Sequence, residues 1–232
     1  MLDVLDGNSI CLGEGVFHIE NNLTMDDKTG VTITGSDNGE TVLSFAGQTD
    51  GGDGILITNS EAIVVKDLTI RDTKGDGIKF MDSDGIVMKR IRVDWSGGPS
   101  SENGGYGIYP VLSSNILIDS SYVAGASDAG IYVGQSDRAV IRYSTAEQNV
   151  AGIQVENTTN ADVYENTVQN NAAGIMVFDL PMLTREGNRI RVFDNLVENN
   201  NGENFAPSGI VSALPSGTGI LTMSTDNVEI FN

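Results

Sequence analysis

Along most of the chain a glycine-isoleucine pair opens a short run in which apolar and polar residues alternate. The pairs are Gly54-Ile55, Gly77-Ile78, Gly107-Ile108, Gly130-Ile131, Gly152-Ile153, Gly174-Ile175 and Gly209-Ile210, mostly about 22 to 23 residues apart. After each anchor the order is apolar, variable, apolar, as in Ile78-Lys79-Phe80, Ile131-Tyr132-Val133, Ile153-Gln154-Val155 and Ile175-Met176-Val177. Alternation of period two turns the isoleucine and its second neighbour to one side of a strand and the middle residue to the other. A polar corner follows, such as Ser113-Ser114-Asn115 or Gln135-Ser136-Asp137, and then a second short strand such as Ala62-Ile63-Val64-Val65 or Asn115-Ile116-Leu117-Ile118.

A repeat of this length predicts coils that cannot bury an apolar side alone and are stable only when stacked. Stacking pairs each strand with its counterparts at about 4.8 Å and makes one continuous apolar interior. The chain is therefore read as all-β, a single right-handed parallel β-helix domain over residues 1–232 with about eight or nine coils; parallel crossovers take that hand. The stretch from about residue 1 to 30 holds strand-like but less regular segments (Ile10, Val16-Phe17-His18-Ile19, Leu23-Thr24-Met25) and is expected to be a cap. At the other end Val228-Glu229-Ile230-Phe231 reads as a coil strand with no polar cap. A truncated end, or end-to-end contact with another chain through that uncapped coil, is the expectation there. Longer intervals between anchors place insertions at 95–106 and about 180–189.

The middle residues after the anchors form an outward column: Leu56, Lys79, Tyr109, Tyr132, Gln154, Met176. Two tyrosines beside a lysine and an amide suit a sugar-binding groove, with rings against pyranose faces and polar tips on hydroxyls or a carboxylate; an aromatic stack that only stiffens the sheet is the open alternative. Asp53, Asp76, Tyr106 and Asp128 precede the anchors, and Gln135, Glu156 and Asp179 follow the strands. These polar groups could bind a substrate, transfer protons or hold a hard cation such as calcium, and each alone could equally cap a corner. The two insertions would wall the groove.

Other columns read as structural. Lys66, Lys89, Asp119, Arg142, Glu165 and Asp194 align as an outward charge ladder, and Asn166 and Asn195 as amides bonding turns or each other. Seven of the 13 basic residues lie in two consecutive coils (Lys66, Arg71, Lys74, Lys79, Lys89, Arg90, Arg92), where nearby aspartates are expected to neutralise them.

Composition narrows the chemistry. A formal charge of −19 argues against a nucleic-acid partner, and no apolar run is long enough for a membrane span. Cys11 is the sole cysteine and His18 the sole histidine, which excludes an internal disulfide, a thiolate metal cluster and a multi-histidine metal site. Met1-Leu2-Asp3 lacks the basic then apolar start of a secretion signal, so an exported protein would carry its leader outside this sequence.

Several runs carry a likeness: Asp94-Trp95-Ser96-Gly97-Gly98-Pro99, Tyr106-Gly107-Ile108-Tyr109-Pro110-Val111, residues 125–136, Gly152-Ile153-Gln154-Val155-Glu156-Asn157 and Val177-Phe178-Asp179-Leu180-Pro181. The chain resembles bacterial parallel β-helix repeat-containing proteins of the pectin-lyase-like superfamily. The resemblance implies a periplasmic or extracellular place and work on a polysaccharide or oligosaccharide, often one rich in uronates. The Gly-His-Gly element of polygalacturonase-like hydrolases is absent, as is the Asp-Pro-His-Asp element of alginate epimerases, and the one Asp-Asp pair, Asp26-Asp27, lies in the less regular N-terminal stretch. A lyase or epimerase would use Lys79 as base and Tyr109 or Tyr132 as proton donor, with Asp76, Tyr106, Asp128, Gln135, Gln154, Glu156 and Asp179 around the substrate. A non-catalytic scaffold or envelope-assembly protein is the competing reading.

Overall fold

A computed structural model describes residues 2–37 and 40–232. Met1, on which part of the reading of the chain's start rests, lies outside them. The anchor strands form one eight-stranded sheet running from Asn21–Asp26 through Asp50–Thr58, Ile78–Met81, Tyr106–Val111, Ala129–Gly134, Ala151–Glu156 and Ala173–Phe178 to Thr218–Met223. The remaining strands of the coils make a fifteen-stranded sheet. Ladders in both sheets are parallel and in register, so that Ile78 pairs with Ile108, Ile108 with Ile131, Ile131 with Ile153 and Ile153 with Ile175.

The alternation expected from the sequence is what fills the interior. Ile55, Ile78, Ile131, Ile153 and Ile175 are buried, as are Phe80, Val133, Val155 and Val177 two residues further on. Fully burying such a side chain contributes about 1.5 to 3 kcal/mol, and here identical positions stack so that no coil buries its share alone.

Three corners turn each coil, many through residues in the left-handed region: Gln135, Tyr143 and Gln148 in one coil, Asn157, Glu165 and Asn170 in the next. That conformation costs about 1 to 2 kcal/mol at a non-glycine residue. Columns of small polar side chains offset it by pairing corner N–H groups between coils. Ser60, Ser83 and Ser113 each donate a backbone N–H to the hydroxyl one coil on, at 3.1, 3.1 and 3.2 Å. At another corner Asn149 N–H donates to Asn171 Oδ1 at 2.9 Å and Asn171 N–H to Asn200 Oδ1 at 3.1 Å. The Asn166 to Asn195 pair is present as expected, with Asn166 Nδ2 donating to Asn195 Oδ1 at 2.9 Å.

Two alignments change. Arg142 pairs with Tyr164 and Tyr164 with Phe193, so Glu165 and Asp194 leave the charge ladder and occupy the left-handed corner column instead. The coil shortens by one residue there, and the column becomes an aromatic stack, with Tyr164 and Phe193 centroids 4.9 Å apart and Phe193 and Phe231 centroids 5.0 Å apart. Gly209-Ile210 is not an anchor: Ile210–Ala213 is a short 3-10 helix, and Ile175 pairs with Ile220. Five of the seven basic residues pair with aspartates as expected, Lys66 and Lys79 with Asp67 and Asp76 at 3.7 and 3.8 Å, Arg71 and Arg92 with Asp94 at 2.5 and 2.6 Å, and Arg90 with the buried Asp67 at 2.5 Å.

Candidate functional site

The outward column holds its register. Leu56 lies beside Lys79 and Lys79 beside Tyr109; one ladder later Tyr132 lies beside Gln154 and Gln154 beside Met176. None of them points into the core of the rod, yet they do not share one environment. Lys79 and Tyr109 are partly exposed, whereas Tyr132, Gln154 and Met176 retain 4%, 1% and 0% of their surface.

Three tyrosines form the centre of the site. Tyr106 lies 4.5 Å from Tyr109 and 4.6 Å from Tyr132, centroid to centroid, and Tyr109 meets Tyr132 edge-on at 4.9 Å. Lys79 Nζ stands 4.6 Å over the Tyr109 ring and 3.8 Å from Asp76 Oδ2. The carboxylates are held by the coils above them. Asp53 Oδ1 accepts from Asp76 N–H at 3.2 Å, and Asp76 Oδ1 accepts from Tyr106 N–H at 3.1 Å. Asp128 accepts from Gln154 Nε2 at 3.0 Å and from the Tyr106 hydroxyl at 3.3 Å. Gly105 separates the two acids: a methyl group there would sit 3.6 Å from Asp76 Oδ1 and 3.9 Å from Asp128 Cβ.

Burial in this acidic neighbourhood disfavours further negative charge. It raises the Asp76 carboxyl to about 7, helped by the charge of Asp53 and opposed by Lys79 and the Tyr106 N–H. Asp128 rises to about 6, again chiefly through burial, with its bonds from Gln154 and Tyr106 holding it down. Glu156 is also raised by burial, against a hydrogen bond from Tyr132. Tyr109 is pushed up to about 12 by burial and then by Asp76, and Tyr106 and Tyr132 are raised further for the same first reason. At neutral pH the tyrosines are therefore proton donors, and Asp76 is divided between acid and base.

The burial of Tyr132 and Gln154 comes from a segment that the repeat pattern concealed. Residues 201–217 leave the rod and fold over the anchor sheet as a strap. Val211, fully buried, joins Tyr132, Ala151, Met176 and Phe178 in a second apolar cluster, with Phe205 and Leu214 packed against it. Asn204 braces the strap from inside, its Nδ2 donating to the carbonyls of Val211 and Leu214 at 2.8 and 2.9 Å. Bonds to the rod lie at the two ends, from Gly202 N–H to Asn171 O at 3.0 Å and from Gly217 N–H to Ala172 O at 3.1 Å. Gly209, at φ 82° and ψ −179°, crosses above Asp128; a methyl group there would point to within 3.7 Å of Asp128 Oδ2. The false anchor at Gly209-Ile210 is thus the crown of the strap.

The two expected insertions play different parts. Trp95 belongs to the core, not a wall: it is buried and its Nε1 donates to Thr73 O at 2.7 Å. Its loop returns through Asn103, whose Nδ2 donates to Gly98 O and Gly125 O at 2.9 and 2.8 Å. The other insertion engages Gln135 and Asp179, although the Asp179 charge still acts on Glu156. Gln135 Oε1 accepts from the Thr184 hydroxyl at 2.9 Å, and Asp179 Oδ2 accepts from Gly187 N–H at 2.5 Å. Lys79, Tyr109, Asp76, Tyr106, Asp128, Tyr132, Gln154 and Glu156 stay together.

Among the described residues no group of three or more His, Cys, Asp or Glu side chains is arranged to hold a metal ion. Asp76 and Asp128 already direct both oxygens at N–H, O–H or ammonium groups. Among the described residues no helix is long and apolar enough to cross a membrane.

No curated protein matches the chain. Among solved structures, the periplasmic alginate epimerase AlgG superposes with a TM-score of 0.56 at 13% identity, over 98% of this chain and 79% of that one. An alginate lyase from Paenibacillus sp. str. FPU-7 has a TM-score of 0.49 at 15% identity, over 99% and 92% of the two chains. The pectate lyase Pel9A has a TM-score of 0.46 at 14% identity, over 99% and 71%. At such identities the likeness is one of fold. The family described as right handed beta helix region matches residues 53–232, most of the chain and all of the site, and the protein belongs to that right-handed β-helix family.

Proposed function

We propose that the protein is an exported polysaccharide-processing β-helix that abstracts the proton beside the carboxylate of a uronate unit. The observation that carries this reading is Asp76, a carboxyl near 7, standing 3.8 Å from the Lys79 ammonium at the open edge of a tyrosine cluster. A general base works best when its proton affinity lies near the operating pH. Lys79, expected from the sequence to be the base, has its Nζ 3.8 Å from Asp76 Oδ2 and 4.6 Å over the Tyr109 ring, and this reading moves the base role to Asp76. The role of Lys79 is to neutralise the uronate carboxylate as charge develops there.

In β-elimination the C5–H bond breaks and its proton passes to Asp76. The electron pair forms the C4–C5 double bond, the C4–O bond breaks, and the Tyr109 hydroxyl protonates the leaving oxygen. In epimerisation the same proton is removed and Tyr109 returns one to the opposite face. Tyr132 packs in the cluster that holds the strap, while Gln154 positions Asp128 and Glu156 the Tyr132 hydroxyl. The likeness in fold to a periplasmic alginate epimerase supports both the substrate class and a periplasmic or extracellular place.

The test is incubation in deuterated buffer with alginate and with pectate, with and without calcium, reading unsaturated-product absorbance and deuterium at C5. Product or label from the native protein, lost in Asp76→Asn by about a hundredfold or more, is expected. Silence on every polyuronate would favour the non-catalytic scaffold.

A further inference from the structure

We propose that the site acts at the ends of glycan chains and not within them, a mode that rests on the polysaccharide reading above. A polymer lying along the rod would follow the outward column, since that column is where Leu56, Lys79 and Tyr109 stand in line on consecutive coils. Towards the N-terminal coils this line is open: Thr24, Leu56 and Lys79 are all partly exposed. Towards the C-terminal coils it stops. Tyr132 keeps 4% of its surface and Gln154 1%, because the strap lies across them with Val211 seated in the apolar cluster and Gly209 above Asp128.

The distances set how much can pass. Consecutive coils are spaced by about 4.8 Å, so only the Tyr109 step, about the breadth of one sugar ring, separates Lys79 from the wall at Tyr132. A chain that continued past the reacting unit would have to displace the strap and expose Met176 and Phe178, both fully buried. Remaking the contact surface of that apolar cluster for each binding event is unfavourable, whereas a chain end fits without it. The strap therefore selects a terminus and leaves room for a single unit beyond the reacting bond.

The experiment follows high-mass alginate and polygalacturonate by viscosity, by product size and by the position of solvent deuterium. Native protein is expected to release one small product from the first time points while viscosity holds, or to label terminal units only. Two variants open the closed end: replacement of 203–216 by a Gly-Gly link, and Val211→Asp, which places a charge in the apolar seat and leaves the chain length unchanged. Both are expected to shift the native pattern to early viscosity loss or internal labelling. Activity with early viscosity loss in the native protein, or variants that keep the chain-end pattern, would overturn the proposal while leaving the polysaccharide reading standing. Inactivity on both polymers would overturn the two together.

Discussion

The ring of Tyr132 lies across Gly134, two residues on in the same strand, so closely that a β-carbon on that glycine would overlap its Cε1 and hydroxyl oxygen. The glycine is a seat for the ring, and the seat aims the hydroxyl at Glu156, the residue that pairs with Gly134 on the next coil. Gly134→Ala should displace the ring and disturb the packed cluster around it, at a cost of about 1 to 3 kcal/mol. Urea denaturation would measure this, and a midpoint equal to that of the native protein would show that the ring has another place to go.

On the proposed reading, Asp76 sets the pH dependence of the reaction. The base form is needed, so kcat/KM on a polyuronate should climb to about pH 7 and then level, as Tyr109 keeps its proton until about 12. A pH-rate profile checks this. A plateau already reached at pH 5 would assign the base elsewhere.

The same carboxyl groups link folding to pH. Asp76 at about 7 and Asp128 at about 6 both lie above the ordinary 3.8, so the folded protein retains protons that the unfolded chain has released. Their contribution to stability is whole below about pH 3.8 and is lost as pH rises through about 6 to 7. Each tenfold difference in proton affinity is worth about 1.4 kcal/mol, so the loss between pH 4 and 8 amounts to a few kcal/mol. Thermal melts should show Tm falling from pH 5 to pH 8, and Asp76→Asn should flatten the fall. An equal slope in that variant would contradict the linkage.

Asn171 is fully buried and makes four side-chain hydrogen bonds between coils. Its Nδ2 donates to Ala146 O at 3.0 Å and Asn200 Oδ1 at 2.9 Å, while its Oδ1 accepts from Asn149 N–H at 2.9 Å and Asn149 Nδ2 at 3.1 Å. Asn171→Ala leaves those partners without water, and each orphaned buried group costs about 1 to 3 kcal/mol. A drop in unfolding free energy of several kcal/mol, read in urea, is expected, with loss of the corner's hydrogen-exchange protection. Asn171→Ser should retain part of it.

What could be read from the sequence follows from one property, a fixed period. The anchors recur at 22 or 23 residues, or at 30 across the insertion at 95–106, and because each Gly-Ile pair resets the register, Lys79, Tyr109, Tyr132 and Gln154 fall in line. Where the period changes by one residue, between Arg142 and Tyr164, the reading slips and an aromatic stack passes for a charge ladder. The strap escaped notice because Gly209-Ile210 reproduces the anchor, and because apolar residues such as Phe205, Val211 and Leu214 serve a core on the outside of the rod as readily as one within it. The raised pKa values of Asp76 and Asp128 depend on burial and on contacts across coils, which alternation along the chain does not encode.

Gly217 N–H reaches Asn200 O at 2.8 Å, so the strap departs and returns through a single doorway. The coils on either side would close across that gap with hardly a change in path were the intervening residues gone. On the chain-end proposal, what the rod admits is set by this appendage, whose removal would bare Met176 and Phe178 while leaving the ladder from Ala173–Phe178 to Thr218–Met223 in place. Rods sharing the same interior could differ in diet simply by carrying, trimming or exchanging such an appendage at a corner.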